Sequence, residues 1–120
     1  MATILIVDDD AAIRALLRHI LEADGHQIRE AVNGRIGLML YREAPDDLVI
    51  TDILMPERDG MEVTLALTQE FLDARVVAMT GAPGDQNFLN VAKLFGARRV
   101  IQKPFTPQEI RRVVRFTLDH

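Results

Sequence analysis

The chain lacks several features that would point to particular classes of protein. It has 120 residues and no cysteine, which excludes a disulfide framework and a thiolate metal site. No apolar run approaches the roughly 18 residues of a membrane span, and the N-terminus lacks the basic segment and long apolar core of a signal peptide. A formal net charge of -4 argues against a general nucleic-acid binder. We therefore expect a soluble, cytoplasmic protein without direct contacts to nucleic acid or membrane.

The composition is that of an ordinary globular protein. Hydrophobic residues make up 48% of the chain and charged residues 27%, and there is no linker, low-complexity segment or sequence repeat. A chain of this length buries roughly two-thirds of its unfolded surface when it folds, so it can support its own core. We expect one domain over residues 1–120. Because no helix-turn-helix or catalytic output segment follows the last predicted helix, the domain either acts alone or is a fragment of a longer protein.

Short apolar runs alternate with longer amphipathic stretches along the whole chain. The spacing of apolar residues within residues 13–21, 88–95 and 110–118 is that of one helix face. Five strands of continuous hydrophobicity, joined by helices, predict an α/β fold with a parallel sheet covered on both faces. The runs predicted as strands are Ile4–Val7, Gln27–Val32, Leu48–Thr51, Arg75–Met79 and Arg99–Gln102.

Local signals predict where the helices begin and end. Starts are predicted at Asn33-Gly34 and at Thr106-Pro107-Gln108-Glu109, which has the pattern of a capping box with proline in the first turn. Ends are predicted at Asp24-Gly25 and Ala44-Pro45. We interpret Asp10 as the N-cap of the first helix.

Charged or hydroxyl-bearing residues follow four of the five predicted strands. The stretch ILIVDDD at residues 4–10 places Asp8 and Asp9 directly after an apolar run. Asp52, Thr80 and Lys103 follow the third, fourth and fifth runs. Because the carboxyl ends of parallel strands meet at one edge of a sheet, these five residues should converge on one crevice.

Adjacent carboxylates repel one another, and partly buried ones favour protonation unless a positive charge offsets them. Asp8, Asp9 and Asp52 form an oxygen-rich set without soft ligands, which suits Mg²⁺. Lys103 adds a fixed positive charge, and Thr80 adds a hydroxyl donor. A carboxylate nucleophile beside groups that bind an anion is the equipment of phosphoryl transfer.

Four motifs in this order resemble the receiver domain of two-component response regulators. They are ILIVDD at the first strand end, VITDILMPERDG around Asp52, MTG at Thr80 and QKPF at Lys103, and their order and spacing match over essentially the whole chain. The resemblance implies a flavodoxin-like, doubly wound (βα)5 fold whose five-stranded parallel sheet has the strand order 2-1-3-4-5.

The resemblance also implies the chemical roles of the acidic residues. Asp52 would be the phosphoacceptor, which takes its phosphoryl group from a histidine of a kinase or of a histidine phosphotransfer protein. Asp9, Asp52 and the backbone carbonyl of Leu54 would bind Mg²⁺ directly, and Asp8 would act mainly through water. Such a protein is not an enzyme in the usual sense, because it catalyses only its own phosphorylation and dephosphorylation.

The remaining implied roles concern signal transmission. Lys103 would bind a phosphoryl oxygen, with a cis peptide bond before Pro104, and Thr80 would move toward the phosphoryl group. The family usually has an aromatic residue where this chain has Val100. We therefore expect the structural change on phosphorylation mainly in the loop at 81–84 and in the predicted fourth helix. A downstream protein or an attached output domain would dock on the face of the fourth helix, fifth strand and last helix. Arginines there favour an acidic partner: Arg98, Arg99, Arg111 and Arg115.

Two other function classes stay open at this point. Asp8 and Asp10 form an Asp-x-Asp pair like that of magnesium-dependent phosphohydrolases of the haloacid dehalogenase kind, although Ala12 replaces the usual threonine or valine. The other alternative is a receiver-like interaction module that never takes a phosphoryl group. The arginines of the last helix, including Arg112, also fit a simple solvated face.

Overall fold

The fold, given by a computed structural model, is described for residues 1–53, 59–81, 90, 93 and 96–120, with only the backbone for 59–61. Leu54, most of the helix predicted at 88–95 and residues 82–84 of the predicted loop lie outside these ranges. The strands are β1 (Thr3–Val7), β2 (Gln27–Ala31), β3 (Leu48–Asp52), β4 (Val76–Thr80) and β5 (Arg99–Gln102). The helices are α1 (Ala11–Ala23), α2 (Gly34–Glu43), α3 (Asp59–Glu70) and α4 (Pro107–Asp119).

The five strands form one parallel sheet in the order β2-β1-β3-β4-β5. This order confirms the flavodoxin-like fold. The chain reverses its direction of travel across the sheet between β1 and β3, which are neighbours, so a crevice opens at their carboxyl ends. Val7 pairs with Thr51 in the β1/β3 register, and the next residues along the two strands are Asp8 and Asp52.

The two faces of the sheet carry separate cores because side chains alternate along each strand. Ile4, Ile6 and Ile50 pack with residues of α1 and α4 on one face. Leu5 and Val49 pack with residues of α2 and α3 on the other. Both faces of the central strands are therefore covered, as the continuous hydrophobicity predicts.

The capping residues act as the sequence predicts. The Asp10 carboxylate accepts hydrogen bonds from the backbone N–H groups of Ala12 and Ile13 at 2.9 and 3.4 Å. Asn33 accepts from a backbone N–H of α2 at 2.9 Å, and Thr106 accepts from one of α4 at 3.1 Å. Each bond satisfies a donor that the first turn of a helix leaves without a partner.

Two strands end one residue later than predicted. Asp52 and Thr80 are the last residues of β3 and β4 rather than the first residues of loops. Pairing continues to these positions, since Asp52 lies opposite Met79 and Thr80 lies opposite Gln102. The backbone of both residues is thus held by the ladder. Among the described helices, none has the length and apolar character needed to cross a membrane.

Candidate functional site

Three residues that are distant in sequence meet at the carboxyl edge of the sheet. The Lys103 ammonium donates to the carboxylate oxygens of Asp8 at 3.1 Å and Asp52 at 3.2 Å. Asp8 is fully buried, Asp52 is 6% exposed and the Lys103 side chain is 17% exposed. The predicted convergence of these residues is therefore present, and Lys103 lies between two carboxylates.

Asp9 completes an acidic cluster with Asp8 and Asp52. One carboxylate oxygen from each residue lies within 4.8 Å of the other two, and Asp9 is exposed to solvent. Mg²⁺ prefers such oxygen ligands and commonly keeps several waters when only a few carboxylates bind it. The donor chemistry and the open side at Asp9 fit a partly hydrated divalent cation.

The pKa values of Asp8 and Lys103 are both raised, but for different physical reasons. Burial raises the pKa of Asp8, and the neighbouring Asp52 charge adds to that rise, while the Asp10 backbone N–H and the Lys103 ammonium oppose it. Burial alone would lower the pKa of Lys103, but the Asp52 and Asp8 carboxylates outweigh burial and raise it. Lys103 thus stays charged at neutral pH, whereas ionised Asp8 is held at a cost.

Thr80 lies at the same edge of the sheet and is hydrogen-bonded to the segment that carries Lys103. It is fully buried, and its backbone carbonyl accepts a hydrogen bond from the Lys103 backbone N–H at 2.7 Å. The peptide bond between Lys103 and Pro104 is cis, as the resemblance implies. The end of β4 and the segment carrying Lys103 are therefore directly connected.

Asp10 does not join the acidic cluster. Its carboxylate caps α1, where it bonds Ala12 and Ile13, and the side chain is directed to the helix rather than to the crevice. The structure therefore uses Asp10 as a helix cap, and only Asp8 of the Asp-x-Asp pair contributes an oxygen to the acidic cluster.

Arg14 contacts the site and Glu30 holds Arg14, and our sequence reasoning missed both residues. The Arg14 guanidinium donates to the backbone carbonyl of Asp8 at 2.7 Å and to the Glu30 carboxylate at 3.0 Å. A sequence signal existed, since Glu30 places an acidic residue in a predicted strand and Arg14 lies one turn into α1 from Asp10. Their pairing joins α1 to β2, which the spacing alone does not reveal.

A flavodoxin-like sheet with an acidic crevice and a lysine at its carboxyl edge defines the class of protein. The family model for the response regulator receiver domain matches residues 4–115, so the chain belongs to this family. Receiver domains are the signalling phosphoacceptors of two-component systems, and they bind Mg²⁺ at an acidic pocket.

Individual relatives agree with this membership. Chemotaxis protein CheY of Bacillus subtilis (strain 168) is 37% identical over 117 residues, which cover 97% of each chain. Transcriptional regulatory protein ResD of the same organism is 37% identical over 107 residues, which cover 89% of this chain but 44% of ResD. The crystal structure of a putative response regulator from Chloroflexus aurantiacus J-10-fl superposes with a TM-score of 0.93 at 30% identity, covering 99% of this chain and 98% of that one.

Proposed function

We propose that residues 1–120 form one receiver domain that accepts a phosphoryl group on Asp52. The donor is a phosphohistidine of a kinase or of a histidine phosphotransfer protein. The observation that carries the proposal is the position of Asp52 at a strand end, with the Lys103 ammonium 3.2 Å from its carboxylate and two further carboxylates beside it. The protein is then a signalling phosphoacceptor that acts only on its own aspartate.

The transfer exchanges one bond for another. An Asp52 carboxylate oxygen bonds to phosphorus while the bond from phosphorus to the imidazole nitrogen of the donor breaks, and the imidazole leaves with the electron pair. Lys103 already contacts the Asp52 carboxylate, so its ammonium is placed to bind an oxygen of the incoming phosphoryl group. Because the pKa of Lys103 is raised, this positive charge persists across the neutral pH range.

The acidic cluster would hold Mg²⁺ through Asp8, Asp9 and Asp52, with the Leu54 carbonyl as a further ligand. When bound, the ion would offset the carboxylate charge and neutralise charge on the phosphoryl oxygens. Asp9 and Asp52 are the direct ligands in this proposal, and Asp8 acts mainly through water. We also propose that the chain acts in the cytoplasm, since it has no cysteine and its stability does not depend on disulfide bonds.

Labelling with a small acyl phosphate tests the phosphoacceptor. Wild-type protein incubated with Mg²⁺ and acetyl phosphate should gain one phosphoryl group, seen by intact mass, and peptide mapping should place it on Asp52. Asp52→Asn should gain none, because the amide preserves shape but removes the nucleophile. Asp10→Asn is the matched control, since asparagine also caps helices and Asp10 lies outside the cluster.

Two results would contradict the assignment of Asp52. One is phosphorylation of Asp52→Asn at the wild-type rate on another residue. The other is a wild-type protein that stays unlabelled under conditions in which a known receiver is labelled, which would favour the pure interaction module. Release of inorganic phosphate from a small phosphate ester by the unlabelled protein would favour a hydrolase.

We further propose that a downstream protein or attached output domain docks beside β5 and α4. The Arg99 guanidinium lies 3.8 Å from the centre of the Phe116 ring, which stacks on His120 at 4.1 Å between ring centres. Phe116 is 39% exposed, so an apolar ring with positive charge beside it faces outward. Arg115, on the same helix, is also exposed. An acidic partner surface with an apolar centre fits this arrangement.

Arg111 pairs with a residue of its own domain, whereas the sequence suggested that it would face a partner. Its Nε lies 3.3 Å from the Asp24 carboxylate at the end of α1, an ion pair without hydrogen-bond geometry. The Arg111 guanidinium therefore has an acidic neighbour within the domain. We therefore restrict the proposed positive surface, among the described residues, to Arg98, Arg99 and Arg115 beside Phe116.

A further inference from the structure

Arg14 links the acidic crevice to the second strand. Its side chain is 14% exposed, and its guanidinium bonds the Asp8 carbonyl at 2.7 Å and Glu30 at 3.0 Å at the same time. A planar guanidinium can hold two acceptors in fixed directions, which a lysine ammonium does not do as well. The two bonds thus fix the direction in which the Asp8 carbonyl points.

Glu30 is itself held in place. It lies opposite Ile6 in the β1/β2 register, and its second carboxylate oxygen accepts a hydrogen bond from Arg18 Nε at 2.6 Å. Bonding by Arg18 and then by Arg14 lowers the pKa of Glu30, against a smaller opposing effect of burial, so Glu30 is ionised at neutral pH. Arg14 and Arg18 therefore share one anchor, but Arg14 reaches the acidic crevice and Arg18 bonds Glu22 and the Ile28 carbonyl.

The Asp8 carbonyl belongs to the peptide unit that joins Asp8 to Asp9. The rest of this turn is also bonded: the Asp8 backbone N–H donates to Ala31 at 3.1 Å, and the Asp10 backbone N–H donates to the Asp8 carboxylate at 2.9 Å. These two bonds hold the neighbouring peptide units, and the contact from Arg14 holds the carbonyl of the Asp8–Asp9 unit itself. A rotation of this peptide would move the Asp9 side chain relative to Asp8 and Asp52.

We propose that Arg14, anchored by Glu30, is a positioning residue that holds the Asp8–Asp9 peptide in the orientation needed to bind a divalent cation. This inference rests on the proposed function, because it concerns the cation site of that function. Arg14 itself binds neither the cation nor the phosphoryl group.

Charge and position make opposite predictions for a neutral variant at this site. Removing the positive charge of Arg14 leaves the carboxylates more attractive to a cation, so a purely electrostatic role predicts tighter Mg²⁺ binding. Losing the bond to the Asp8 carbonyl frees the peptide, so a positioning role predicts weaker binding. The direction of the change in affinity therefore separates the two roles.

Arg14→Gln and Arg18→Gln form a matched pair for the test. Each removes one guanidinium from Glu30, but only the first releases the Asp8 carbonyl. Mg²⁺ affinity is measured by calorimetry and amide chemical shifts on the full chain, at a temperature where each variant is folded. We expect Arg14→Gln to raise the dissociation constant about tenfold, the low end of the effects of outer-shell partners on metal affinity. Arg18→Gln should stay within about twofold of wild type.

Arg14→Lys provides a second variant if the glutamine variant folds poorly. It keeps the charge and loses the two-directional contact, so it should also weaken Mg²⁺ binding, by about threefold or more. Phosphorylation by acetyl phosphate adds a further readout. In the Arg14 variants the Mg²⁺ concentration for half-maximal rate should rise, while the rate at saturating Mg²⁺ should return to near wild type.

Two results would overturn the inference while leaving the proposed function intact. One is unchanged or tighter Mg²⁺ binding by Arg14→Gln. The other is equal weakening by Arg14→Gln and Arg18→Gln, which would assign the effect to the shared Glu30 network. Failure of the wild-type protein to bind Mg²⁺ at all would instead count against the proposed function.

Discussion

At the scale of one residue, Asp8 is a carboxylate that the fold encloses at the carboxyl edge of the sheet. Its side chain is fully buried, and burial raises its pKa, although the Asp10 backbone N–H and Lys103 partly offset the effect. The cluster holds three carboxylates, of which Lys103 contacts two. Without a cation, ionisation of Asp8 therefore works against the folded state, and a cation would relieve that cost.

Asp8→Asn should make the cation-free protein more stable at pH 7, by about 1 kcal/mol, because removing a functional strain commonly gains this much. Because the pKa of Asp8 is raised in the folded state, the protonated form of Asp8 favours folding. This contribution to stability is fully present below the ordinary pKa of 3.8 and is lost as the pH rises through the folded-state pKa. The variant does not ionise, so its advantage should shrink as the pH falls toward 3.8.

Urea unfolding from neutral to acidic pH, with and without Mg²⁺, measures this advantage. Mg²⁺ should stabilise the wild type more than Asp8→Asn, because the variant keeps Asp9 and Asp52 but loses Asp8, and the difference in stability between the two proteins should therefore shrink. Asp10→Asn is the control, because it removes a carboxylate outside the cluster and keeps the cap. A variant that is less stable than wild type at pH 7 without Mg²⁺ would show that Asp8 is not held at a cost.

At the scale of elements, the proposed output depends on what Thr80 and Lys103 connect. Thr80 ends β4, and its carbonyl is bonded to the backbone of Lys103 just after β5. Val100 in β5 is partly buried against Ile53, Ala78 and Ala97, so no large aromatic ring can swing there. A phosphoryl group adds a charge of about -1.5 to -2, which Lys103 and the Thr80 hydroxyl would meet.

Hydrogen exchange with and without beryllofluoride, a phosphoryl mimic, should therefore change mainly across residues 81–97 and less in β5. A two-state rearrangement of a loop and its following helix is a common output of such a switch. Asp52→Asn with beryllofluoride is the control and should show no change. Equal protection of residues 81–97 in both states, or a response confined to α2, would contradict this route.

Local patterns in the sequence predicted the elements well, but not the contacts between them. The strand runs, the caps at Asp10 and Thr106 and the end of α1 depend on neighbours within a few residues, so the sequence displays them. The contact of Arg14 with Glu30 depends on how α1 crosses β2. Its geometry exists only after the sheet has formed, which is also why the pairing of Arg111 with Asp24 was missed.

The same limit explains the strand ends. The apolar run of β3 predicts a strand up to Thr51, but pairing with β4 carries it to Asp52. Hydrophobicity reports burial, whereas the last residue of a strand is set by its hydrogen-bonded neighbour. The convergence of Asp8, Asp52 and Lys103 was predictable because parallel strands must present their carboxyl ends together.

For the whole molecule, we propose that this edge of the sheet is a cation-dependent phosphoacceptor. The strand order brings Asp8 and Asp9 beside Asp52, and β5 brings Lys103 to the same place. None of these residues makes the site alone. The claim thus joins the fold, the metal and the chemistry, and one experiment addresses all three.

That experiment is the rate of phosphorylation of Asp52 by acetyl phosphate as the Mg²⁺ concentration is varied. We expect no measurable transfer in the presence of a chelator and a rate that rises to a plateau with Mg²⁺. The concentration for half-maximal rate should agree with the dissociation constant from the binding titration. An equal rate with chelator and with saturating Mg²⁺, or a phosphoryl group mapped to another residue, would contradict the account.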